Sequence, residues 1–206
     1  MTDITAMVTI TLPDGSTKEY NSDVTPGQVA KDIGPGLAKA AMAAEVDGQI
    51  VGLDYLIPDG NQATLKLFTK KDPEALGVMR HSAAHVMARA IMKLFPGVQL
   101  AFGPTIDGGF YYDFDLDHKL SDEDFETIEA EMKKIIEADE PFERIETGRD
   151  EALDIVNDLG QEYKVEHIRD GLTEHNQLSF YRQGEFIDLC RGPTFHRPAL
   201  LVLINC

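Results

Sequence analysis

The amino-acid sequence predicts an α+β protein with two domains. Its 206 residues are enough to bury two separate hydrophobic cores. Short runs that alternate apolar and polar residues, as strands do, fill much of residues 7–66, and segments with apolar residues at helical spacing follow between 69 and 139. The pattern changes near "TKKDPEA", residues 69–75. We therefore predict domains at 1–68 and 69–206.

The first domain is predicted to have a β-grasp, or ubiquitin-like, fold. Residues 7–12 ("MVTITL") and 16–21 are two predicted strands joined by the turn "PDG". A helix follows, with Thr25 as its N-cap and Pro26 at its first position, and it should end at "GPG". Further short strands are expected around two turns, Asp47-Gly48 and Asp59-Gly60. The order strand, strand, helix, strands is typical of a β-grasp.

The second domain is predicted to begin with a long helix. Asp72 is a candidate N-cap, Pro73 suits the first helical position, and the helix should run to Leu94. His81 and His85 lie one turn apart on it, outside the predicted apolar stripe, so we expect them to point into a crevice. The residues of that stripe are Leu76, Met79, Ala83, Met87, Ala90 and Leu94.

An antiparallel sheet with packed helices is expected for the rest of the domain. Residues 99–116 are a predicted hairpin whose turn contains Asp107-Gly108-Gly109. Helices are predicted at 121–139, capped by Ser121, and at 149–160, ending at Gly160. The remaining segments, "EYKVEHIRD" (162–170) and "LSFYRQGEFIDLCRGPTFH" (178–196), are mainly predicted strands.

Composition limits the classes of function. The net charge of −17 gives no overall attraction for nucleic acid, although one basic face remains compatible with it. Only two cysteines occur, Cys190 and Cys206, which indicates free thiols or ligands rather than a disulfide framework. No apolar run is long enough to span a bilayer, and the N-terminus lacks the features of a secretory signal. We expect no membrane association and a cytoplasmic location.

Two histidines four residues apart on a helix have the spacing of metal ligands or of an acid/base pair. Cys190 would complete a His, His, Cys set suited to zinc, with Asp188 or His196 as a fourth member. The alternative is that the two histidines are ordinary polar residues of the helix and belong to no site. Residue 82 is serine, so the glutamate of the zinc-protease motif is missing.

Two other segments combine polar and apolar residues unusually. "GGFYYDF" places Tyr111 and Tyr112 after a glycine turn, as an aromatic strand face or as part of a site. "EYKVEHI" places Lys164 in an apolar, strand-like segment. Such a lysine reaches water at a sheet edge, or donates to a developing oxyanion in a pocket.

Together these motifs resemble a known family. "HSAAH", "GPTIDGGFYYDFDL", "YKVE" and "DLCRGP" occur in the order and approximate spacing found in bacterial threonyl-tRNA synthetases, and "TLPDG" with "DIGPGLAKAAMAA" resembles the N-terminal TGS domain of that family. The resemblance covers residues 7 to about 193. It implies a TGS domain followed by an editing domain that hydrolyses serine wrongly attached to threonine tRNA, in a chain without the family's ligase core. The implied site residues are His81, His85, Tyr112, Lys164, Asp188 and Cys190.

The resemblance also implies roles for these residues. Lys164 and Tyr112 would orient water or stabilise charge, and the two histidines would bind the terminal adenosine or move protons. Asp188 would hold the seryl amino group, and Cys190 would shape the pocket. No cofactor is expected in this segment, because ATP and a separate zinc belong to the family's ligase core. Related alanine-editing proteins bind zinc through a His, His, Cys, His set, for which the candidates here are His81, His85, Cys190 and His196.

The chain departs from the family after Pro193. Residue 194 is threonine where the family has histidine, and "RPALLVLINC" is unlike the family, which predicts an editing domain incomplete at its C-terminus. Two alternatives to seryl-tRNA(Thr) hydrolysis remain. One is a non-catalytic fragment that binds RNA or protein, and the other is a zinc-dependent hydrolase unrelated to tRNA. The expected partner is tRNA(Thr), especially its aminoacylated 3′ end, and the fragment is expected to be a monomer.

Overall fold

The structure is a computed structural model that describes residues 7–58, 60–103, 105–106 and 108–203. It is an α+β protein, which confirms the predicted fold class, and it divides into two compact units. The first unit comprises Met1–Met79 with Pro193–His196, and the second comprises Arg80–Gly192 with Arg197–Cys206. Three residues used in the predictions, Asp59, Asp107 and Cys206, lie outside the described residues.

The first unit has the predicted β-grasp topology. Its mixed sheet has the strand order β2-β1-β5-β3-β4, in which β1 and β5 are parallel and the other neighbours antiparallel. The elements are β1 (Val8–Thr11), β2 (Thr17–Tyr20), α1 (Pro26–Ile33), α2 (Pro35–Ala40), β3 (Ala41–Val46), β4 (Gln49–Val51) and β5 (Gln62–Thr69).

Local sequence signals explain where these elements begin and end. Thr25 caps α1, because its hydroxyl accepts from the backbone N–H of Gln28 while the Gln28 side chain accepts from the N–H of Thr25. Asp47 and Gly48 both have positive φ, 49° and 82°, as a tight turn between β3 and β4 requires. The core under the sheet is aliphatic and includes Val8, Ile10, Val24, Val29, Ala44, Ile57 and Leu65.

The second unit places helices around a three-stranded antiparallel sheet with the order β10-β11-β12. Helix α3 (Pro73–Leu94) contains the division between the units. Two short antiparallel pairs, β6 with β9 and β7 with β8, follow α3. The other elements are β6 (Gln99–Leu100), β7 (Thr105–Ile106), β8 (Gly109–Phe110), β9 (Phe114–Asp115), α4 (Asp122–Ala138), β10 (Glu143–Gly148), α5 (Arg149–Asp158), α6 (Glu162–Glu166), a π-helical turn (His167–Gly171), β11 (Gln177–Gln183), β12 (Phe186–Leu189) and a 3₁₀ helix (Pro198–Leu203).

The strand predicted at 162–170 is wrong, because this segment is helical. The side-chain amide of Gln161 fixes the start: it accepts from the N–H of Leu100 at 2.7 Å and donates to the carbonyl of Val98 at 3.3 Å. Gln161 thereby occupies the edge of β6, and the chain turns into α6. Lys164 and Ile168, one helical turn apart, are the buried positions of the segment.

The apolar stripe predicted for α3 is confirmed only in part: Ala90 is buried, and Met87 and Leu94 pack against the buried Ile91 cluster. Leu76 is exposed, and the buried face of the C-terminal part of the helix includes Ser82, His85 and Ala88. Small residues there allow close packing, and the His85 ring lies 5.9–6.2 Å from three aromatic rings, those of Phe142, Tyr181 and Phe186. Among the described residues, no helix is both long and apolar enough to cross a bilayer.

Candidate active site

The carboxylate of Asp188 lies at the centre of a polar cluster in the second unit. Its Oδ2 accepts from the Tyr112 hydroxyl at 2.7 Å and lies 3.2 Å from Nδ1 of His85. Its Oδ1 lies 3.1 Å from Nζ of Lys164, which also donates to the Tyr112 hydroxyl oxygen at 3.4 Å. Asp188 is therefore surrounded by two basic groups and one hydroxyl donor.

Strand and helix periodicity bring these residues together. Asp188 lies opposite Tyr181 in the β11–β12 ladder, and the backbone N–H of Cys190 donates to the Ser179 carbonyl, so Asp188 and Cys190 share one face of the sheet. His81 and His85 share one face of α3. Lys164 comes from α6, and Tyr112 from the segment between β8 and β9. All six site residues implied by the resemblance thus meet in one place.

The two histidines and Cys190 form a chain of close contacts. Nε2 of His85 lies 3.1 Å from Nε2 of His81, which lies 2.7 Å from Sγ of Cys190. Burial alone would raise the pKa of the Cys190 thiol, but the positive charge of His85 and the hydrogen bond from His81 outweigh it and lower the pKa to about 6. Burial alone would lower the pKa of His85, but Cys190 and Asp188 raise it to about 9. A thiolate and an imidazolium are the favoured charge states.

The same charges determine the state of the other two acids. Burial opposes ionisation of Asp188, but Lys164 and His85 hold the pKa of its carboxyl well below the usual range. Burial and the nearby carboxylate raise the pKa of Tyr112 well above its usual value. Asp188 is thus an anion and Tyr112 a neutral donor near pH 7.

A cavity of about 570 Å³ opens beside this cluster. All six clustered residues line it. Phe102 and His167 also line it, with their rings in edge-to-face contact at 4.7 Å. Burial, together with Lys164 and Arg191, lowers the pKa of His167, so its ring is neutral near pH 7. The cavity therefore joins a charged region to a neutral aromatic wall.

Two glycines leave space for side chains that line this cavity. A Cβ on Gly192 would overlap the ring of His81, and a Cβ on Gly103 would overlap the ring of Tyr112. In both cases the side chain of a site residue occupies the space that any larger residue would need. The close approach of His81 thus explains the glycine of the "RGP" motif after Cys190.

Arg149, at the start of α5, holds the π-helical turn beside the cavity. Its guanidinium donates to the carbonyls of Leu172, at 2.6 Å, of Arg169, at 3.0 Å, and of Ile168. The carbonyls of Ile168 and Arg169 belong to the turn that contains His167 and follows Lys164, and Leu172 comes directly after this turn. Sequence reasoning missed Phe102, Arg149, His167 and Arg191. A helical interpretation of "EYKVEHI" would have found His167, three residues after Lys164.

His81, His85 and Cys190 are also candidates for holding a metal ion. Their ligand atoms lie within 4.8 Å of one another, as a zinc site needs. However, ligands of a tetrahedral zinc are about 3.3–3.8 Å apart, as follows from bond lengths of roughly 2.0–2.3 Å, so the 2.7 Å and 3.1 Å contacts would have to widen. His196, one of the two candidates for a fourth ligand, belongs to the first unit, where its Nδ1 lies 3.8 Å from Oδ2 of Asp54. Thr194, the residue at the position where the resemblance implies a histidine, belongs to the same unit and is 2% exposed.

Comparison with known families identifies the first unit. Residues 8–69 match the TGS domain family. This match covers the five strands of the β-grasp sheet and the helices between them. The predicted TGS domain is thus confirmed.

The whole chain is similar to threonine–tRNA ligases. It is 57% identical over 204 residues to the enzyme of Rhodopirellula baltica, a match that covers 97% of this chain and 28% of that protein. Identity to the ligases of Clostridioides difficile and Thiobacillus denitrificans is 49% and 48% over 193 residues, 94% of this chain. The chain is similar to an N-terminal region of these threonine–tRNA ligases and spans between a quarter and a third of their length.

Proposed function

We propose that the second unit hydrolyses the ester bond of seryl-tRNA(Thr), and so removes serine from threonine tRNA. The observation that carries this proposal is the buried Asp188 cluster at the wall of a cavity, with Lys164 and Tyr112 as donors. Such donors can stabilise the oxyanion that forms when water attacks an ester. Within a full-length relative, the hydrolysis would correct the product of an ATP-dependent ligase core in the cytoplasm.

The selectivity of such a site rests on size. Threonine exceeds serine by one methyl group, which distinguishes the two amino acids by only about 1–3 kcal/mol in a binding pocket. A synthetic site that must accept threonine therefore also admits some serine. A second site that fits serine and excludes the additional methyl group removes this error.

The contacts refine the expected roles. Lys164 and Tyr112, held on the two oxygens of Asp188, would donate to the oxyanion or to the attacking water. Asp188 is 3% exposed and has three close partners, which favours a positioning role over the expected contact with the seryl amino group. The paired His81 and His85 would pass a proton or contact the terminal ribose, and Cys190 would hold His81 in place.

Deacylation of seryl-tRNA(Thr) by the purified 206-residue chain tests the proposal. We expect loss of serine from the tRNA, and we expect a folded His81→Ala, His85→Ala double variant to lose this activity. A folded Lys164→Ala variant should lose the activity too, and Lys31→Ala, on α1 of the other unit, is its matched control. Hydrolysis that is the same in wild type and in both site variants would contradict the proposal.

A zinc-dependent hydrolase is the second candidate, favoured by the His81, His85 and Cys190 cluster. Zinc there would supply an activated water molecule. Metal analysis of the purified chain, repeated on Cys190→Ser, distinguishes the two. One equivalent of zinc that disappears in the variant would favour the metal site, and hydrolysis by a metal-free chain would contradict it.

A further inference from the structure

A second, smaller cavity adjoins the one beside Asp188. It has a volume of about 230 Å³, and three of its residues, Leu178, Ser179 and Arg191, also line the larger cavity. The other lining residues are Arg144, Glu146, His175 and Gln177. A ligand that extends beyond the larger cavity can thus pass directly into the smaller one.

Both cavities lie over the same face of the three-stranded sheet. Arg144 is paired with Tyr181, and Tyr181 is paired with Asp188 on its other side. Glu146 is paired with Ser179 in the same ladder. Because directly opposite residues of antiparallel strands point to the same side, the edge strand β10 extends the face that carries the Asp188 cluster.

The smaller cavity is locally basic in a chain whose net charge is −17. Arg144 and Arg191 supply two guanidinium groups, and His175 adds an imidazole ring. Glu146 partly neutralises Arg144, at 2.7 Å, whereas Arg191 has no carboxylate at ion-pair distance among the described residues. Guanidinium groups match the geometry of phosphate oxygens. One uncompensated arginine and one displaceable ion pair suit a monoanionic phosphodiester.

We propose that this smaller cavity is the subsite for the phosphodiester that joins the terminal adenosine of the substrate to the preceding nucleotide. The inference rests on the proposed function, because it requires the aminoacylated adenosine to occupy the larger cavity. Glu146 then competes with the phosphodiester for Arg144. The subsite makes the chain prefer a polynucleotide end over a free aminoacyl nucleoside, without reading any base.

Calorimetric titration of the 206-residue chain with two non-hydrolysable probes tests this. The first probe is adenosine with serine amide-linked at its 3′ position, and the second is the same nucleoside extended by one 5′-linked nucleotide. We expect the dinucleotide to bind on the order of fivefold more tightly, because its phosphodiester meets exposed arginines. The gain should shrink as salt is raised.

Substitutions of opposite expected sign strengthen the test. Arg144→Gln should lower the ratio between the two affinities, because only Arg191 then remains to meet the phosphodiester, and Glu146→Gln should increase the ratio by freeing Arg144. Arg182→Gln is the matched control, because Arg182 is an exposed arginine of β11 on the opposite face, and the ratio should persist.

Equal affinities for the two probes in the wild type would overturn the subsite while leaving the proposed function intact. A ratio that falls equally in Arg144→Gln and Arg182→Gln would also overturn it, since only general charge would then matter. Failure of the wild type to bind either probe would contradict the proposed function itself.

Discussion

Nζ of Lys164 lies 3.1 Å from Oδ1 of Asp188, and both side chains are almost completely buried, at 6% and 3% exposure. The two residues come from α6 and β12, so the ion pair joins a helix to the sheet beneath the cavity. A buried charge that loses its partner is costly, whereas a buried pair replaced as a whole by neutral groups is not. The stability and the activity of the chain should therefore respond differently to changes at this pair.

Replacing Lys164 by Met leaves the Asp188 carboxylate buried without its lysine. We expect the free energy of unfolding to fall by about 3–5 kcal/mol, as for other broken buried pairs, and hydrolysis to be lost. Adding Asp188→Asn should restore most of the stability but none of the hydrolysis. Urea unfolding and deacylation measure the two effects. A single variant as stable as wild type would show that the pair is not buried in solution.

The thiol of Cys190 should react as a thiolate at neutral pH. Its pKa of about 6 lies below the value of roughly 8.5 of a free cysteine, so alkylation should rise through pH 6 and level off above pH 7. The rate is measured with iodoacetamide in a Cys206→Ser background, in which Cys190 is the only cysteine. Because His85 and His81 cause the shift, His85→Ala should move the midpoint upward. A midpoint near 8.5 in the parent chain would exclude the thiolate–imidazolium arrangement.

Gly192→Ala should impair the site without unfolding the chain. The new Cβ would overlap the ring of His81, so the ring must move away from Cys190 and His85. We expect at least a tenfold slower hydrolysis, since a displacement of about 1 Å at a reacting group is that costly or more. Gly148→Ala is the control, because a Cβ there meets nothing within 4 Å. Equal rates in both variants would argue against the contact.

Arg149→Gln should loosen the π-helical turn. Three carbonyls lose a charged donor. Hydrogen bonds to charged groups each contribute about 1.5–3 kcal/mol to stability. Faster amide hydrogen exchange over residues 162–172 is expected, with slower hydrolysis because Lys164 and His167 lose their fixed positions. Arg182→Gln should alter neither property. Unchanged exchange in Arg149→Gln would show that the turn does not depend on this guanidinium.

Local signals in the sequence predict most of the fold. Thr25 and Gln28 form the capping box that begins α1. At the start of α4, the N–H of Ser121 donates to the Asp124 carboxylate. Short sequence motifs therefore predict where both helices begin. The edge strand β10 was not predicted, because its exposed charged residues give little apolar alternation and its pairing with β11 creates it. The helical segment 162–171 was missed because Gln161 and Arg149, which fix its ends, act through tertiary contacts.

The site follows a similar rule. Spacings of four on a helix and two on a strand predict that His81 joins His85 and that Asp188 joins Cys190. The positions of Phe102 and Arg191 at the cavity depend on how separate elements converge, which no local spacing encodes. The family resemblance supplied Tyr112 and Lys164, for which residue patterns alone left an ordinary structural role open.

The most direct test of the central claim is the ratio of single-turnover deacylation rates for seryl-tRNA(Thr) and threonyl-tRNA(Thr), measured with the 206-residue chain. An editing site that excludes one methyl group predicts faster removal of serine by roughly 10- to 200-fold. The preference should vanish, together with the activity, in the Lys164→Met, Asp188→Asn double variant. Equal rates for the two esters, or serine removal that persists in the double variant, would contradict the claim that the Asp188 cluster is a proofreading site.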